Sequence, residues 1–362
     1  MFQKENHILN EIRGLMLTKI SLLDRYISLL RNEMKLSVES AVQVVVALIC
    51  IKYWLEKLCH GRNMTQIAEI EEAMRQYANS EVGLSAGAQD SAVPVPAIYV
   101  KYFLDELSSL NFGNIDAADI GFFMDAFLMR YFKGDLERLR VPIPIQNFLI
   151  GCLAPQKGET VFDPCCGVGD LLIGSMRYAS SRLMVTGIDS SRIASRIFQI
   201  RMALEYGADV SLNQPLRDNS SKSFDVAMCW PTMGRKLPPI GIELGLPQKI
   251  AQMSEIHALF HCLVDTKPGG RIGVILPDVL IESESFQLFR QWVEARADLV
   301  FSYAFNREQM HFSFPSCCVN GLIFVKKGMR SHIGSDLAMA ADEPIETAIA
   351  AFHEFRKDMK FW

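Results

Sequence analysis

The chain has 362 residues, of which 49% are hydrophobic and 22% charged, with a formal net charge of -4. That length holds two domains with sizeable cores, and the apolar fraction excludes disorder as the main state. The acidic balance excludes nucleic-acid binding through overall positive charge, so any such contact needs local basic patches or a partner.

Residues 1 to about 78 predict helices. Leu15, Ile20, Leu22, Leu23, Tyr26 and Leu29 recur at helical spacing,. A strongly apolar helix follows from Val44 to Leu58 and ends near His60-Gly61. Its apolar run, Ala41 to Ile51, is too short to span a bilayer and is bounded by Glu39 and Lys52, so no membrane contact is expected,. The N-terminus lacks the basic, apolar and small-residue pattern of a signal peptide. Ser80 to Pro96 is rich in Gly, Ala, Ser and Pro and predicts a loop,. Helices resume over Ala97–Leu110 and Asp116–Phe132, giving a helical N-terminal domain over 1–135.

At Thr160 the periodicity changes. Short apolar runs, Thr160–Asp163, Met184–Ile188, Phe224–Cys229, Arg271–Leu276, Leu299–Tyr303 and Val319–Val325, read as strands. The first two lead into helical stretches, from Leu171 and over Ser191–Tyr206, and Phe224–Cys229 leads into a long loop. Alternation of this kind implies an α/β domain over 136–328, built on a doubly wound, mostly parallel sheet. A tail over 329–362 carries an amphipathic helix from Ile345 to Met359, able to pack on the core or on a partner.

The nine cysteines include no Cys-x-x-Cys pair, and Cys50, Cys152, Cys229 and Cys262 sit among apolar residues. They read as buried, reduced thiols of a cytoplasmic protein. The seven histidines do not cluster with cysteines at ligand spacing, so no metal site is expected,.

Chemistry concentrates where the first strand ends, at Asp163-Pro164-Cys165-Cys166-Gly167-Val168-Gly169-Asp170. Gly167 and Gly169 allow a tight turn and close approach of backbone to a ligand, and the following helix points its N-terminus at that ligand. Asp189 ends the next strand, about twenty residues on, where a carboxylate accepts hydrogen bonds from both ribose hydroxyls. This layout serves NAD or S-adenosylmethionine (SAM) alike, and a vestigial turn that binds nothing has the same shape. The Asp-Pro opening favours SAM, because dinucleotide sites place Gly-x-Gly directly after the strand, whereas Asp-Pro-x-x-Gly-x-Gly is the amino-methyltransferase pattern.

Taken in order, five segments resemble the modification (methylase) subunits of type I restriction–modification systems, SAM-dependent DNA adenine N6-methyltransferases. They are Val44-Val-Val-Ala-Leu-Ile-Cys-Ile-Lys-Tyr53, Ile120-Gly-Phe-Phe-Met-Asp-Ala-Phe-Leu128, Lys157-Gly-Glu-Thr-Val-Phe-Asp-Pro164, Pro268-Gly-Gly-Arg-Ile-Gly-Val-Ile-Leu-Pro277, and Ser316-Cys-Cys-Val-Asn-Gly-Leu-Ile-Phe-Val-Lys-Lys327. The resemblance implies a Rossmann-like SAM-dependent domain after a helical one. It implies that Asp163, Pro164, Gly167 and Gly169 shape the SAM pocket and that Asp189 holds the ribose. The family's next acidic position falls at about Asn213 or Gln214 here, and its Thr-Pro element is reduced to Val141-Pro142 or Ile143-Pro144. It further implies DNA as a partner, read through a separate specificity protein, in a hetero-oligomer or dimer.

The chain departs from that family at the step that matters most. Aligned on Phe224-Asp225-Val226, the family's Asn-Pro-Pro-aromatic motif falls on Trp230-Pro231-Thr232-Met233. The family's Asn oxygen and the next Pro carbonyl accept the two protons of the target amine, and the aromatic stacks on the flipped base. Trp offers one N–H donor and no acceptor. Trp230 therefore plugs the pocket, stacks on a base without transfer, or belongs to a site of another geometry. Cys165 lies in the cofactor loop and not after the fourth strand, where the nucleophile of cytosine C5-methylases belongs. Arg235 and Lys236 follow the motif, as phosphate contacts or solvated charges. The expectation is a catalytically impaired or inactive homologue that binds SAM or nucleic acid within an assembly. The alternatives are an active adenine N6-methyltransferase with a divergent motif, or a methyltransferase of protein or RNA, which the helical N-terminal domain disfavours.

Overall fold

The computed structural model describes residues 2–57, 66–80, 95–207, 223–240, 246–306, 318–328, 336–339 and 343–359. The expectations at Leu58, His60-Gly61, the 81–94 part of the loop, Asn213, Gln214 and Ser316-Cys317 fall outside those residues, as does the side chain of Leu15. The chain divides into two compact units. One is residues 1–137 together with 191–212, and the other is 138–190 together with 213–362.

The first unit is helical: α1 (Phe2–Glu33), α2 (Val38–Lys57), α3 (Ile67–Asn79), α4 (Ala97–Glu106), α5 (Ala117–Tyr131) and, from beyond residue 190, α8 (Arg192–Tyr206). Ile20, Leu23, Tyr26, Ile27 and Leu30 form the buried stripe of α1 at spacings of three and four,. Helix α2 extends past its apolar run at both ends and is long and apolar enough to cross a membrane by length and composition. It is the core helix of this unit, with Val42, Val45, Val46, Ile49 and Cys50 fully buried. The Asp116 side chain caps α5 by accepting the Asp119 N–H at 2.8 Å,. Arg201 of α8 donates to Asp125 of α5 at 2.6 Å.

The second unit is a seven-stranded sheet in the order β2-β1-β3-β4-β6-β5-β7. Its strands are β1 (Thr160–Asp163), β2 (Met184–Gly187), β3 (Phe224–Cys229), β4 (Thr266–Pro277), β5 (Ala297–Phe305), β6 (Val319–Lys326) and β7 (Leu337–Met339). All neighbouring pairs are parallel except the two made by β6, which runs antiparallel to β4 and β5. The expected mostly parallel α/β sheet is therefore present. It gains β7, three residues too short and too exposed to leave a strand signature.

Helices cover both faces of this sheet, as alternation along its strands requires. On one face lie α6 (Ile143–Leu153), α7 (Asp170–Tyr178) and α13 (Ile345–Asp358). Phe148 of α6 packs on Phe301, Tyr303 and Phe305 of β5, and Phe352 of α13 stacks on Phe301 at 4.7 Å. The C-terminal helix thus packs on the core of this unit. On the other face Ile272, Val274 and Leu276 of β4 and Leu322 and Phe324 of β6 meet α10 (Ser254–Asp265) and α12 (Gln287–Glu294). The short helices α9 (Gln248–Ala251) and α11 (Asp278–Glu282) precede those two. The stretch after β3, read from sequence as a long loop, includes α9 and α10.

Gly321 of β6 lies directly under Phe148, and a Cβ there would stand 2.2 Å from the ring. Gly321→Ala is expected to destabilise the protein by about 1–3 kcal/mol through overpacking. Phe148→Leu in the same chain should return part of that loss, and denaturant melts of the two single variants and the double variant measure the coupling.

Candidate functional site

Parallel pairing puts the ends of β1, β2 and β3 on one edge, where open α/β sheets hold their ligands,. Asp163 closes β1 with a side chain only 1% exposed. Its carboxylate accepts the Cys165 N–H at 2.9 Å. The chain then turns through Gly167 at φ 54° and Gly169 at φ 87°, the second serving as N-cap of α7. Both values lie in the left-handed region that favours glycine. At Gly167 there is also no room: a Cβ would stand 2.2 Å from the Leu139 carbonyl oxygen.

Hydrogen bonds fix this turn from two sides. The Gly167 N–H donates to Asp189 Oδ2 at 2.9 Å. The Cys166 N–H donates to the Ile188 carbonyl at 2.9 Å, and the Ile188 N–H to the Asp163 carbonyl at 3.0 Å. From the other side the Val168 N–H donates to the Leu139 carbonyl at 3.1 Å. Asp170, in the first turn of α7, accepts Arg140 Nε at 2.7 Å and the Val141 N–H at 2.9 Å. Of the Leu139-Arg140-Val141 segment the sequence points to Val141, through the reduced Thr-Pro element Val141-Pro142, and leaves Leu139 and Arg140 unmarked. Its role is carried mostly by backbone atoms, which leave no residue signature.

Three carboxylates, Asp163, Asp170 and Asp189, therefore gather at one loop. Burial pushes the Asp163 carboxyl up to about 8, against the pull of the Cys165 N–H, and the charges of Asp189 and Asp170 push it the same way,. The residues present fit SAM: Asp189 is the acceptor type that ribose hydroxyls require, and the glycine turn leaves room beside it,. Pro164 is half-buried within the turn. Gln214, the remaining candidate cofactor residue, is outside the described residues.

The loop after β3 stands on the same edge. Phe162 pairs with Ala227, so Asp163 is level with Met228 and Trp230 lies two residues further on. Trp230 is 5% exposed, Pro231 is buried, and Thr232 and Met233 are half-buried. The start of α10 holds this loop. Ser254 Oγ donates to the Thr232 carbonyl at 2.5 Å, and Glu255 Oε1 accepts the Gly234 N–H at 2.7 Å. The Ser254 N–H donates to the Arg235 carbonyl at 3.0 Å and the Leu237 N–H to the Gln252 carbonyl at 2.7 Å. Arg235 Nη1 donates to Ser190 Oγ at 2.7 Å, which bridges the β3 loop to the end of β2 across β1. Lys236 is exposed.

Cys165, Cys229 and Cys262 lie together behind this edge, with Cys262 Sγ 3.7 Å from Cys229 Sγ. The hydrogen bond with Cys229, and then burial, hold the Cys165 thiol well above its ordinary value. Burial does the same for Cys229. Thiols held protonated are poor nucleophiles, which agrees with a packing role for Cys165.

Residues 127–291 match the family model of the N-6 DNA methylases, a span that includes both the Asp163 loop and the Trp230 loop. Solved structures share the fold. A Listeria monocytogenes protein described as a class I SAM-dependent methyltransferase is 12% identical, with a TM-score of 0.62 over 98% of this chain and 100% of that one. The methyltransferase subunit of a type I restriction–modification system from Streptococcus thermophilus is 14% identical, with a TM-score of 0.60 over 95% of this chain and 93% of its own. A modification subunit from Vibrio vulnificus YJ016, assigned to a type I restriction enzyme, is 14% identical, with a TM-score of 0.57 over 97% and 89%. The chain thus resembles the N-6 DNA methylases over residues 127–291 and shares the fold of the solved type I modification subunits.

The raised Asp163 value has a definite consequence for stability. A carboxyl that titrates near 8 when folded and near 3.8 when unfolded holds a proton in the folded state that the unfolded chain has lost,. Its contribution is fully present below the unfolded value and is lost as pH rises through the folded one. Asp163→Asn keeps the shape and removes the titration. Its melting temperature should match the wild type near pH 4 and exceed it by a widening margin up to pH 8, as read by thermal melts across that range. A flat difference would mean that Asp163 is not held protonated.

Proposed function

We propose that this chain is a cytoplasmic relative of type I modification subunits that binds SAM at the Asp163–Asp189 edge and in which methyl transfer to adenine N6 is impaired or absent. It acts as the SAM- or nucleic-acid-binding component of an assembly with DNA and a separate specificity protein. The observation that carries this reading is the buried indole of Trp230 at the end of β3.

An exocyclic amine attacks a methyl group only when its nitrogen lone pair is freed from the ring, which requires acceptors for its protons. In the residues that align with the family motif, the side-chain acceptor is gone and an N–H donor stands in its place. The Thr232 carbonyl is engaged by the Ser254 hydroxyl. Pro231 is the one motif residue kept, and its carbonyl supplies one acceptor where the family has two. Loss of one preorganised electrostatic contact lowers a rate by about 10²–10³, roughly 3 kcal/mol of barrier, and the bulk of the indole adds to that. SAM, when bound, supplies the methyl group. Asp189 would hold its ribose, and the Gly167–Gly169 turn would let the backbone approach it closely.

The partner proposal draws on the family resemblance and on a solved type I assembly, 17% identical with a TM-score of 0.60, whose subject is complex assembly and conformational transition. A likeness at that identity supports the fold, and the partners remain this proposal's own.

Labelled SAM offered to the purified chain with DNA, with and without its partner protein, is expected to give no transfer above background. Calorimetry is expected to show SAM binding. Trp230→Asn combined with Thr232→Pro is expected to raise transfer by at least about tenfold if one lost acceptor is the main defect. Robust transfer by the unaltered chain would instead establish an active adenine methyltransferase with a divergent motif.

A further inference from the structure

The face of the sheet opposite α6 holds a cavity of about 120 Å³ between β4, β5, β6 and helices α10, α11 and α12. Its walls include Leu259, Leu276, Phe289, Val293, Leu322 and Phe324, all buried. Close-packed interiors hold few voids larger than a water molecule. A single water needs only about 10–15 Å³ of such space, together with two to four polar partners. These six side chains are hydrocarbon and offer no such partners, so the cavity, which opens to solvent beside Arg290 and Glu294, presents an apolar wall of ligand size.

The polar groups at its margin are Arg290 and Glu294. Arg290 Nη1 donates to the Ser283 carbonyl at 2.7 Å and the Leu280 carbonyl at 3.3 Å, which fixes the guanidinium at the wall. Glu294 lies one turn further along α12 and is exposed. A cation and an anion one turn apart on a helix are neighbours, and together they give the opening no net sign that would select a charged head group.

We infer that this cavity is a binding site for a small, uncharged hydrophobic molecule of about the size of a benzene ring, the ligand class that apolar cavities of this volume accept. The site is separate from the cofactor edge, since neither Asp163, Asp189 nor Trp230 lines it.

Benzene is the probe. It is expected to raise the melting temperature of the full chain in proportion to the logarithm of its concentration, as a ligand of the folded state does. Val293→Phe, which fills the cavity from α12, should abolish that rise. Benzoate carries the same ring with a charge and is expected to bind at least about tenfold more weakly, because its carboxylate would have to leave water. A crystal held under xenon should show a xenon atom among Leu276, Phe289 and Leu322, a readout that does not depend on the variant folding. The proposal is overturned by a melting temperature indifferent to benzene, by a rise that persists in Val293→Phe, by benzoate binding as tightly as benzene, or by a cavity without xenon.

Discussion

The hydrogen bond from the Gly167 N–H to the Asp189 carboxylate joins the ends of β1 and β2. That bond needs the left-handed backbone at Gly167, and that backbone fits only because no side chain stands between the turn and the Leu139 carbonyl,. With the turn in place, Asp163 is sealed beneath the loop and α7 starts at Asp170 under the hold of Arg140. A β-carbon at Gly167 would disturb all three at once, so the glycine serves the architecture of the loop whether or not a ligand is bound.

Trp230 is the position on which the proposed change of chemistry at this edge turns. The indole is buried, and the chain beyond it is tied to the first turn of α10 through Ser254 and Glu255. An edge built to accept protons from an amine would present oxygen there. The β1–β2 half of the edge carries acidic residues and a glycine turn, and the β3 half carries a buried indole. The two halves of the edge are built on different strands, so the proposed binding and transfer roles are separable by mutation.

Much of the fold was legible in the sequence. Strands of a parallel sheet are buried on both faces, so β1 and β3 stand out as short, mostly apolar runs whose bounds in the sequence match those in the structure,. Helix α10 was missed because its apolar positions come directly after a stretch of Pro, Gly and charged residues that reads as loop, and β7 because three residues carry no periodicity. At the site, Asp163, Gly167, Gly169 and Asp189 were legible because a turn with positive φ and a strand-end carboxylate demand particular residue types. Leu139, Ser254 and Glu255 were not. Leu139 acts through its carbonyl, which every residue has, and the other two reach the loop only through tertiary contact.

Helix α8 belongs to the first unit although its sequence follows β2 of the second. Its Arg201 supplies a buried ion pair to Asp125, seventy-six positions earlier in the chain. On the ribosome, domains usually complete in order from the N-terminus, at about 5–20 residues per second. Here the helical unit waits for residues 192–206, by which time β1 and β2 have already left the exit tunnel. The helical unit is therefore completed only after the first two strands of the other have been made, and a nascent chain halted near residue 140 exposes the helical surface that α8 later covers.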